Sequence, residues 1–247
     1  MIIAAALALG TASVAGAAAK PRPLKQKCGV FTPTAGMHPL WLRASDGVRL
    51  YAAEVGTAKT AIVLAHQSPA DLCGWMYYVP HLAKAGFRVL SFDFRGYGDS
   101  APGVGTAADA YERDLRAAIA HLRSEGAKRV ILMGASFGGA AALADGWRLH
   151  VDGVVSLSGE PELPVAGFDG LAGVRKLRAP LLLVASSGDR YCNAADTHRL
   201  LRAAGSHDKH ATIYPGVWHG WSIVEDAPYQ AKARATILAW IRRIANP

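Results

Sequence analysis

The chain contains 247 residues, of which 51% are hydrophobic and 19% are charged, and its net charge at pH 7 is +8. A chain of this length and hydrophobic content fits one α/β domain with a sizeable buried core. The lysines and arginines are scattered rather than collected in a basic run interleaved with aromatic residues, which argues against nucleic acid as a partner. We interpret them as solvated surface charge, while attraction to anionic cell-envelope material stays open.

Residues 1–19 have the outline of a secretory signal peptide. An apolar run from Met1 to about Leu9 is followed by small residues with Ala-x-Ala triplets, although a basic n-region is missing. The segment is short and rich in Ala and Gly compared with a membrane-spanning helix of roughly 20 strongly apolar residues. We therefore expect a secreted, periplasmic or cell-envelope protein, with no stable membrane insertion after cleavage.

An irregular N-terminal arm is predicted over residues 20–38, which are rich in Pro, Gly, Thr and Lys, and the α/β domain over residues 39–247. In an oxidising compartment, one pair of the three cysteines can form a disulfide and one thiol is left over. The sequence does not choose among the three pairings of Cys28, Cys73 and Cys192. Their spacing is not that of metal ligands, so no zinc site is expected.

The body of the chain alternates short apolar runs with amphipathic segments. Two runs on either side of a Ser-Asp-Gly turn predict an opening hairpin. Further strands are predicted at residues 61–66, 88–94, 129–134, 153–159, 180–188 and 210–216, and helices at 107–125, 137–149 and 228–244. This alternation predicts a mostly parallel sheet flanked by helices. Ligands bind such sheets at the carboxyl ends of the strands, so functional residues should follow each apolar run.

Ser136 lies in a glycine-rich stretch, GASFGG, between a predicted strand and a predicted helix. The spacing favours a sharp turn that lifts one side chain above the sheet at a strained backbone angle, which is tolerated only where the flanking residues are tiny. The N-terminus of the following helix presents free N–H groups to a developing oxyanion. Ser136 is therefore a candidate nucleophile, although a glycine-rich turn by itself does not require one.

A serine nucleophile needs a base, and the base needs an orienting partner. Asp189 and His219 each follow a later predicted strand, so both are expected at the same edge of the sheet as Ser136. Glu160 and Glu162 follow the strand at 153–159 and are alternative acids, less favoured than Asp189. Most other histidines fall in predicted helices or in a polar turn, and we interpret them as surface or packing residues.

The oxyanion needs hydrogen-bond donors, each worth roughly 2.7–4 kcal/mol of barrier. We assign the role to the backbone N–H groups of Gln67, just after a predicted strand, and of Phe137, next to the nucleophile. The neighbouring His66 is interpreted as structural, with its imidazole holding the loop by hydrogen bonds.

With these residues in place, the chain resembles the α/β-hydrolase family from about residue 40 to residue 244. The resemblance is carried by four ordered motifs: GASFGG, SSGD, WHG and the loop SFDFRGYGDS. It implies an eight-stranded sheet with an antiparallel second strand, and acyl transfer without metal or cofactor by Ser136, His219 and Asp189. A serine nucleophile argues against dienelactone hydrolases, which use cysteine, and against epoxide hydrolases and haloalkane dehalogenases, which use aspartate.

Two features depart from the family pattern. Many members have His-Gly where this chain has His66-Gln67, so the Gln67 side chain is expected to narrow the site or to add a hydrogen bond. Members with a helical cap insert it after the sixth strand, whereas here only residues 160–179 are available, so no large cap and a comparatively open cleft are expected. Nearby aromatic residues are equally suited to line a pocket or to pack in the core. The candidates are Trp75, Tyr191, Trp218 and Trp221, with Tyr77 and Tyr78 beside them.

The sequence thus favours an exported serine esterase acting on small-molecule or polymer-attached esters. An amidase or peptidase with the same triad remains an alternative, because esters and amides pass through the same kind of oxyanion. A ligand-binding protein that retains the fold is the third reading. The oligomeric state is not determined.

Overall fold

The computed structural model describes residues 20–103 and 109–246, so the predicted signal segment lies outside the described residues. Within these ranges the strands are β1 (His38–Arg43), β2 (Arg49–Val55), β3 (Thr60–Ala65), β4 (Arg88–Phe92), β5 (Arg129–Ala135), β6 (Gly153–Leu157), β7 (Glu162–Leu163), β8 (Phe168–Asp169), β9 (Leu181–Ser186) and β10 (Lys209–Tyr214). The helices are α1 (Leu24–Cys28), α2 (Val79–Lys84), α3 (Ala110–Ser124), α4 (Phe137–Asp145), α5 (Gly170–Lys176), α6 (Ala194–Ala203), α7 (Ser222–Glu225) and α8 (Gln230–Ala245).

Eight of these strands form one sheet in the order β1-β2-β4-β3-β5-β6-β9-β10. The second strand, β2, runs antiparallel to both of its neighbours, and the pairs from β4 to β10 are all parallel. This confirms the predicted α/β-hydrolase fold. The parallel strands all end at one edge, which collects the loops that follow them.

Each buried strand contributes side chains to two cores, because successive side chains point to opposite faces of a sheet. In β3, Ala61 and Val63 join the core beneath helices α3 to α6, and Ile62 and Leu64 join the core beneath α1, α2, α7 and α8. All four side chains are fully buried. The continuously apolar strands of the sequence are therefore explained by helices on both faces.

The N-terminal arm is more ordered than predicted, since it contains the five-residue helix α1. Cys28, the last residue of this helix, forms a disulfide with Cys73, and Cys192 is a buried free thiol. Lys27 lies between two carboxylates, with its Nζ 2.8 Å from Asp93 Oδ2 and 2.9 Å from Asp71 Oδ2. The arm is thus fixed to the body of the domain by one covalent bond and by a buried ion pair.

Several predicted element bounds differ from the structure. The helix predicted at 137–149 ends as α4 at Asp145 and continues as a short 3₁₀ turn, and the helix predicted at 228–244 begins at Gln230. Residues 160–179 hold the small hairpin of β7 and β8, one 3₁₀ turn and α5, so this segment forms no large cap. No helix in the described part of the chain is long and apolar enough to cross a membrane.

Candidate active site

The loops at the carboxyl edge of the sheet bring the predicted residues together. Gln67 follows β3, Ser136 follows β5, Asp189 follows β9, and His219 follows β10. Glu160, the alternative acid, follows β6 at the same edge. The convergence follows from the parallel topology, which places the ends of distant strands side by side.

Ser136 occupies the sharp turn between β5 and α4. Its φ is +48° and its ψ is −113°, a conformation that non-glycine residues rarely adopt. The turn is held by a 2.8 Å hydrogen bond from Ser136 N to Leu157 O and by a 2.7 Å bond from Ala140 N to Ser136 O. The predicted strained turn is therefore present, and the Ser136 side chain makes no capping hydrogen bond to the helix that follows.

Two glycines of the GASFGG stretch are required by close backbone approach. A Cβ at Gly138 would lie 2.3 Å from Ala65 O, and a Cβ at Gly134 would lie 2.1 Å from Gly138 O. Because both neighbours are backbone atoms, they cannot move aside cheaply. The glycines thus permit the turn, and the turn sets the position of Ser136 Oγ.

Ser136, His219 and Asp189 form a continuous chain of hydrogen bonds. Ser136 Oγ donates to His219 Nε2 at 2.7 Å, and His219 Nδ1 donates to Asp189, whose two carboxylate oxygens both lie 2.9 Å away. Asp189 is buried, whereas the imidazole is partly exposed. The arrangement lets the imidazole accept the serine proton while the carboxylate holds its orientation.

The carboxylate of Asp189 is kept ionised by its hydrogen bonds. Burial disfavours the charged form, but the bonds from His219 and from the Tyr191 N–H, 2.9 Å from Oδ1, outweigh it and lower the pKa of Asp189. An ionised Asp189 stabilises an imidazolium at His219. Ser186 steadies the same loop, because its Oγ donates to Trp218 O at 2.7 Å.

The two predicted oxyanion donors lie on adjacent loops. Phe137 is the first residue of α4 and Gln67 follows β3, and within the described ranges neither backbone N–H donates to a protein acceptor. The Gln67 side chain takes part in the site through its oxygen. Its Oε1 accepts a 3.2 Å hydrogen bond from Trp221 N, which ties the loop after β3 to the loop that carries His219. A Cβ at Gly220 would lie 2.1 Å from this oxygen.

His66 has the structural role expected for it. The buried imidazole donates from Nδ1 to Gln67 O at 2.9 Å and accepts at Nε2 from Phe94 N at 3.0 Å. Burial lowers the pKa of His66 to about 4, so the ring is neutral at physiological pH. It joins the loop after β3 to the loop after β4.

A cleft of about 320 Å³ opens over Ser136 and His219. Besides these two residues, it is lined by Ser68, Tyr97, Tyr111, Phe137, Glu160, Leu163, Val165, Ala166 and Tyr191. Tyr97 was missed by sequence reasoning, although it follows β4 and the rule of functional residues after strands would have found it. Tyr111 lies at the start of α3, where no local pattern indicated a pocket residue.

The predicted pocket aromatics separate into different environments. Tyr191 lines the cleft, and its ring centroid lies 4.8 Å from that of His219. Trp75 is wrong as a lining residue, because it is fully buried and packs edge to face against Trp221. Trp221 and Trp218 are packed against the same core as Trp75, so the structure does not place them on the cleft.

The two alternative acids are not equivalent. Glu160 lines the cleft, whereas Glu162 is exposed and pairs with Arg199 at 3.0 Å. Neither is hydrogen-bonded to His219, whose Nδ1 faces Asp189. Within residues 20–103 and 109–246, no group of three or more His, Cys, Asp or Glu side chains is arranged to hold a metal ion.

Two family models match the ranges of the chain that contain the site residues. The Alpha/beta hydrolase family model matches residues 62–174, which include Gln67 and Ser136. The Serine aminopeptidase, S33, model matches residues 166–225, which include Asp189 and His219. The two matches together run through all the loops that build the site.

Curated proteins are similar to part of this chain, and a solved structure is similar to most of it. Epoxide hydrolase A of Mycobacterium tuberculosis is 33% identical over 125 residues, which cover 49% of this chain and 38% of that protein. Bifunctional epoxide hydrolase 2 of Rattus norvegicus is 45% identical over 60 residues, only 24% of this chain and 11% of that protein. These matches therefore span well under two thirds of either relative. An esterase of Pyrococcus furiosus superposes with a TM-score of 0.73 at 17% identity, over 91% of this chain and 97% of that one, which shows a shared fold.

Proposed function

Because the chain belongs to the α/β-hydrolase family, we propose that it is a serine hydrolase that cleaves carboxylic esters through an acyl-enzyme intermediate. The observation that carries the proposal is the hydrogen-bonded chain from Ser136 Oγ through His219 to Asp189. Its substrates are small-molecule or polymer-attached esters that fit an uncapped cleft.

In the first half-reaction, His219 Nε2 takes the proton of Ser136 while Oγ bonds to the ester carbonyl carbon. The electron pair of the carbonyl moves onto its oxygen, which the N–H groups of Gln67 and Phe137 stabilise. Asp189 stabilises the imidazolium. The tetrahedral intermediate then collapses, the bond to the alcohol oxygen breaks, and His219 delivers its proton to the departing alkoxide.

In the second half-reaction, water replaces the alcohol. His219 takes a proton from the water while the water oxygen attacks the acyl carbon. The bond from the acyl carbon to Ser136 Oγ then breaks, and His219 returns the proton to the serine. The products are a carboxylic acid and free enzyme. No metal or cofactor takes part in these steps.

The proposal is tested with 4-nitrophenyl esters of increasing acyl length, using the purified protein and Ser136→Ala. We expect Ser136→Ala to lower kcat by at least about 10³-fold, because the nucleophile is lost while the cleft remains. Equal activity of the two proteins would rule out the mechanism. The chain-length profile of the wild type then defines which acyl groups the cleft accepts.

Amide cleavage is the second candidate, favoured by the Serine aminopeptidase, S33, match over residues 166–225. The same residues would perform it, with His219 protonating an amine as the leaving group. Aminoacyl 4-nitroanilides assayed beside the esters distinguish the two. A higher kcat/KM for the anilides than for matched esters would replace esterase by amidase as the main activity.

The epoxide hydrolase relatives do not lead us to propose epoxide hydrolysis. Attack of Ser136 on an epoxide carbon would form an ether, which has no carbonyl carbon for water to attack, so the enzyme would stop after one reaction. Incubation with styrene oxide tests this reasoning. Repeated turnover to the diol would contradict it.

A binding protein on the same fold is distinguished by labelling. A fluorophosphonate is expected to modify Ser136 stoichiometrically, because His219 activates the hydroxyl. Labelling of Ser136 together with a lack of turnover on esters, anilides and epoxides would favour the binding function.

We also propose that the protein is exported after removal of residues 1–19. The disulfide between Cys28 and Cys73 supports this, because such bonds persist in oxidising compartments. Cell fractionation and the N-terminal sequence of the mature protein test it. An uncleaved N-terminus in the cytoplasmic fraction would contradict export.

A further inference from the structure

Glu160 brings a negative charge into the cleft that the proposed mechanism does not use. It follows β6 and lines the same cavity as Ser136 and His219. Among the described residues that line this cavity, it is the only Asp, Glu, Lys or Arg. The charge of the cleft wall is therefore set by this one carboxylate.

The Glu160 carboxylate has no protein partner in the described part of the chain. Its neighbour in sequence, Glu162, pairs with Arg199 at 3.0 Å, but no hydrogen bond or ion pair is formed by the Glu160 side chain. Burial in the cleft wall raises the pKa of Glu160; His219 opposes that shift, and the nearby carboxylates of Asp189 and Asp196 add to it. A partly buried, unpaired carboxylate gains most from a ligand that brings a positive charge.

The rest of the cleft suits a cation as well. Tyr97 and Tyr111 line it, and aromatic faces attract ammonium groups within about 6 Å. The third lining tyrosine, Tyr191, already has the Arg190 guanidinium 5.7 Å from its ring centroid. The remaining lining side chains are hydroxyl-bearing or apolar, so no lysine or arginine among them competes for Glu160. The negative charge of the side chains that line the cleft is thus opposite in sign to the net charge of the whole chain, which is +8.

We propose that Glu160 makes the cleft select esters that carry a positively charged group, such as a quaternary ammonium, beside the scissile bond. The proposal rests on the proposed esterase function and names a substrate class for it. Glu160 acts by binding the charged part of the substrate, and Ser136 and His219 carry out the cleavage.

The test compares esters of equal shape that differ in charge. Butyrylcholine is paired with 3,3-dimethylbutyl butyrate, which places the charge on the alcohol side. The 4-nitrophenyl esters of 4-(trimethylammonio)butanoic acid and 5,5-dimethylhexanoic acid place it on the acyl side. In at least one pair, we expect the wild type to prefer the cationic ester by about tenfold in kcat/KM, with a smaller preference at high salt.

Variants assign the preference to Glu160. Glu160→Gln is expected to abolish the cationic-to-neutral ratio, Glu160→Asp to retain most of it, and Glu162→Gln, two residues away and outside the cleft, to leave it at the wild-type value. A ratio near one in the wild type for both pairs, or an unchanged ratio in Glu160→Gln, would overturn the proposal. An equal loss on cationic and neutral esters with a shifted pH profile would also overturn it, because Glu160 would then act on His219.

A measurement without turnover separates this proposal from the proposed function. Choline is expected to slow fluorophosphonate labelling of Ser136 more than 3,3-dimethylbutanol does, in the wild type but not in Glu160→Gln. Hydrolysis of neutral esters that depends on Ser136, without choline protection or cationic preference, would leave the esterase and remove the selectivity. Choline protection without any hydrolysis would leave the cationic site and remove the esterase.

Discussion

The backbone of Ser136 shows how single residues hold the site in a strained state. A left-handed φ in a non-glycine residue costs about 1–3 kcal/mol, and it persists only where the surroundings over-determine it. Here the bonds from Ser136 N to Leu157 O and from Ala140 N to Ser136 O fix the turn on both sides. The strain is thus balanced by contacts with β6 and α4, which place Oγ within 2.7 Å of His219 Nε2.

Glu225 is a second residue held in an unfavourable state. Its Oε1 is buried without a hydrogen-bond partner among the described residues, and burial together with the nearby Asp226 raises the pKa of Glu225 to about 8. Between pH 4.5 and about pH 8, the Glu225 carboxyl therefore keeps its proton in the folded protein and loses it in the unfolded chain. Consequently, the free energy of unfolding falls as pH rises through this window.

We predict that Glu225→Gln stabilises the protein increasingly as pH rises from about 4.5 to about 8 and fully above that, because glutamine keeps the shape and removes the charge. The gain in free energy of unfolding is expected to be about 1–2 kcal/mol at pH 9, after discounting for partial solvent exposure, and to vanish near pH 4. Urea unfolding of both proteins across this pH range measures it. A gain that does not depend on pH would show that the carboxylate charge is not its cause.

Among the elements, the N-terminal helix α1 connects two of the loops that surround the site. Lys27 bridges Asp71, in the loop after β3, and Asp93, in the loop after β4. Asp93 also accepts hydrogen bonds from Leu72 N and Asp99 N. Burial raises the pKa of Asp93 to about 6 even with Lys27 beside it, which reflects how costly an unpaired charge would be there.

We predict that Lys27→Met lowers the free energy of unfolding at pH 7 by about 3–5 kcal/mol, because it leaves the buried Asp93 carboxylate without its partner. Lys25→Met is the matched control, since Lys25 is exposed on the same helix. Urea unfolding measures both. The double variant Lys27→Met with Asp93→Asn should recover part of the loss, and a similar loss in Lys25→Met would mean that α1 itself is sensitive to substitution.

At the scale of the whole molecule, the site is open. In the described part of the chain, the segment at residues 160–179 contributes Val165 to the cleft, and this side chain is 94% exposed. Tyr191, in the loop between β9 and α6, also lines the cleft and is 52% exposed. A substrate can therefore reach Ser136 without displacing a covering domain.

We predict that the rate of ester hydrolysis saturates with dissolved substrate and does not jump when substrate exceeds its solubility. A jump would require a lid that opens at an interface, and the described part of the chain has no large cap. Rates measured with tributyrin below and above its solubility limit check this. A severalfold increase at the limit would indicate a movable cover formed by residues 160–179.

The sequence was sufficient to predict the mostly parallel sheet. It was also sufficient to predict that the serine, the acid and the histidine of the candidate site follow strands of that sheet. Buried parallel strands leave a local apolar pattern, and polar residues placed after them must meet at one edge. The role of Gln67 was only half predicted, because whether its amide donates to the site or accepts from Trp221 depends on a loop 154 residues away in the chain.

By itself, the sequence predicted a mostly parallel sheet flanked by helices and placed Ser136, Asp189 and His219 at its carboxyl edge, because these follow from periodicity and chain order. The eight-stranded topology with an antiparallel second strand was implied by the resemblance to the α/β-hydrolase family. The tertiary structure alone decided which cysteines pair, that Lys27 is buried between two carboxylates, and that Glu160 rather than Trp75 faces the cleft. These facts depend on contacts between segments far apart in the chain, as with the 45 residues between Cys28 and Cys73. Local sequence patterns do not predict such contacts, because the contacts form only when the packed layers bring distant segments together.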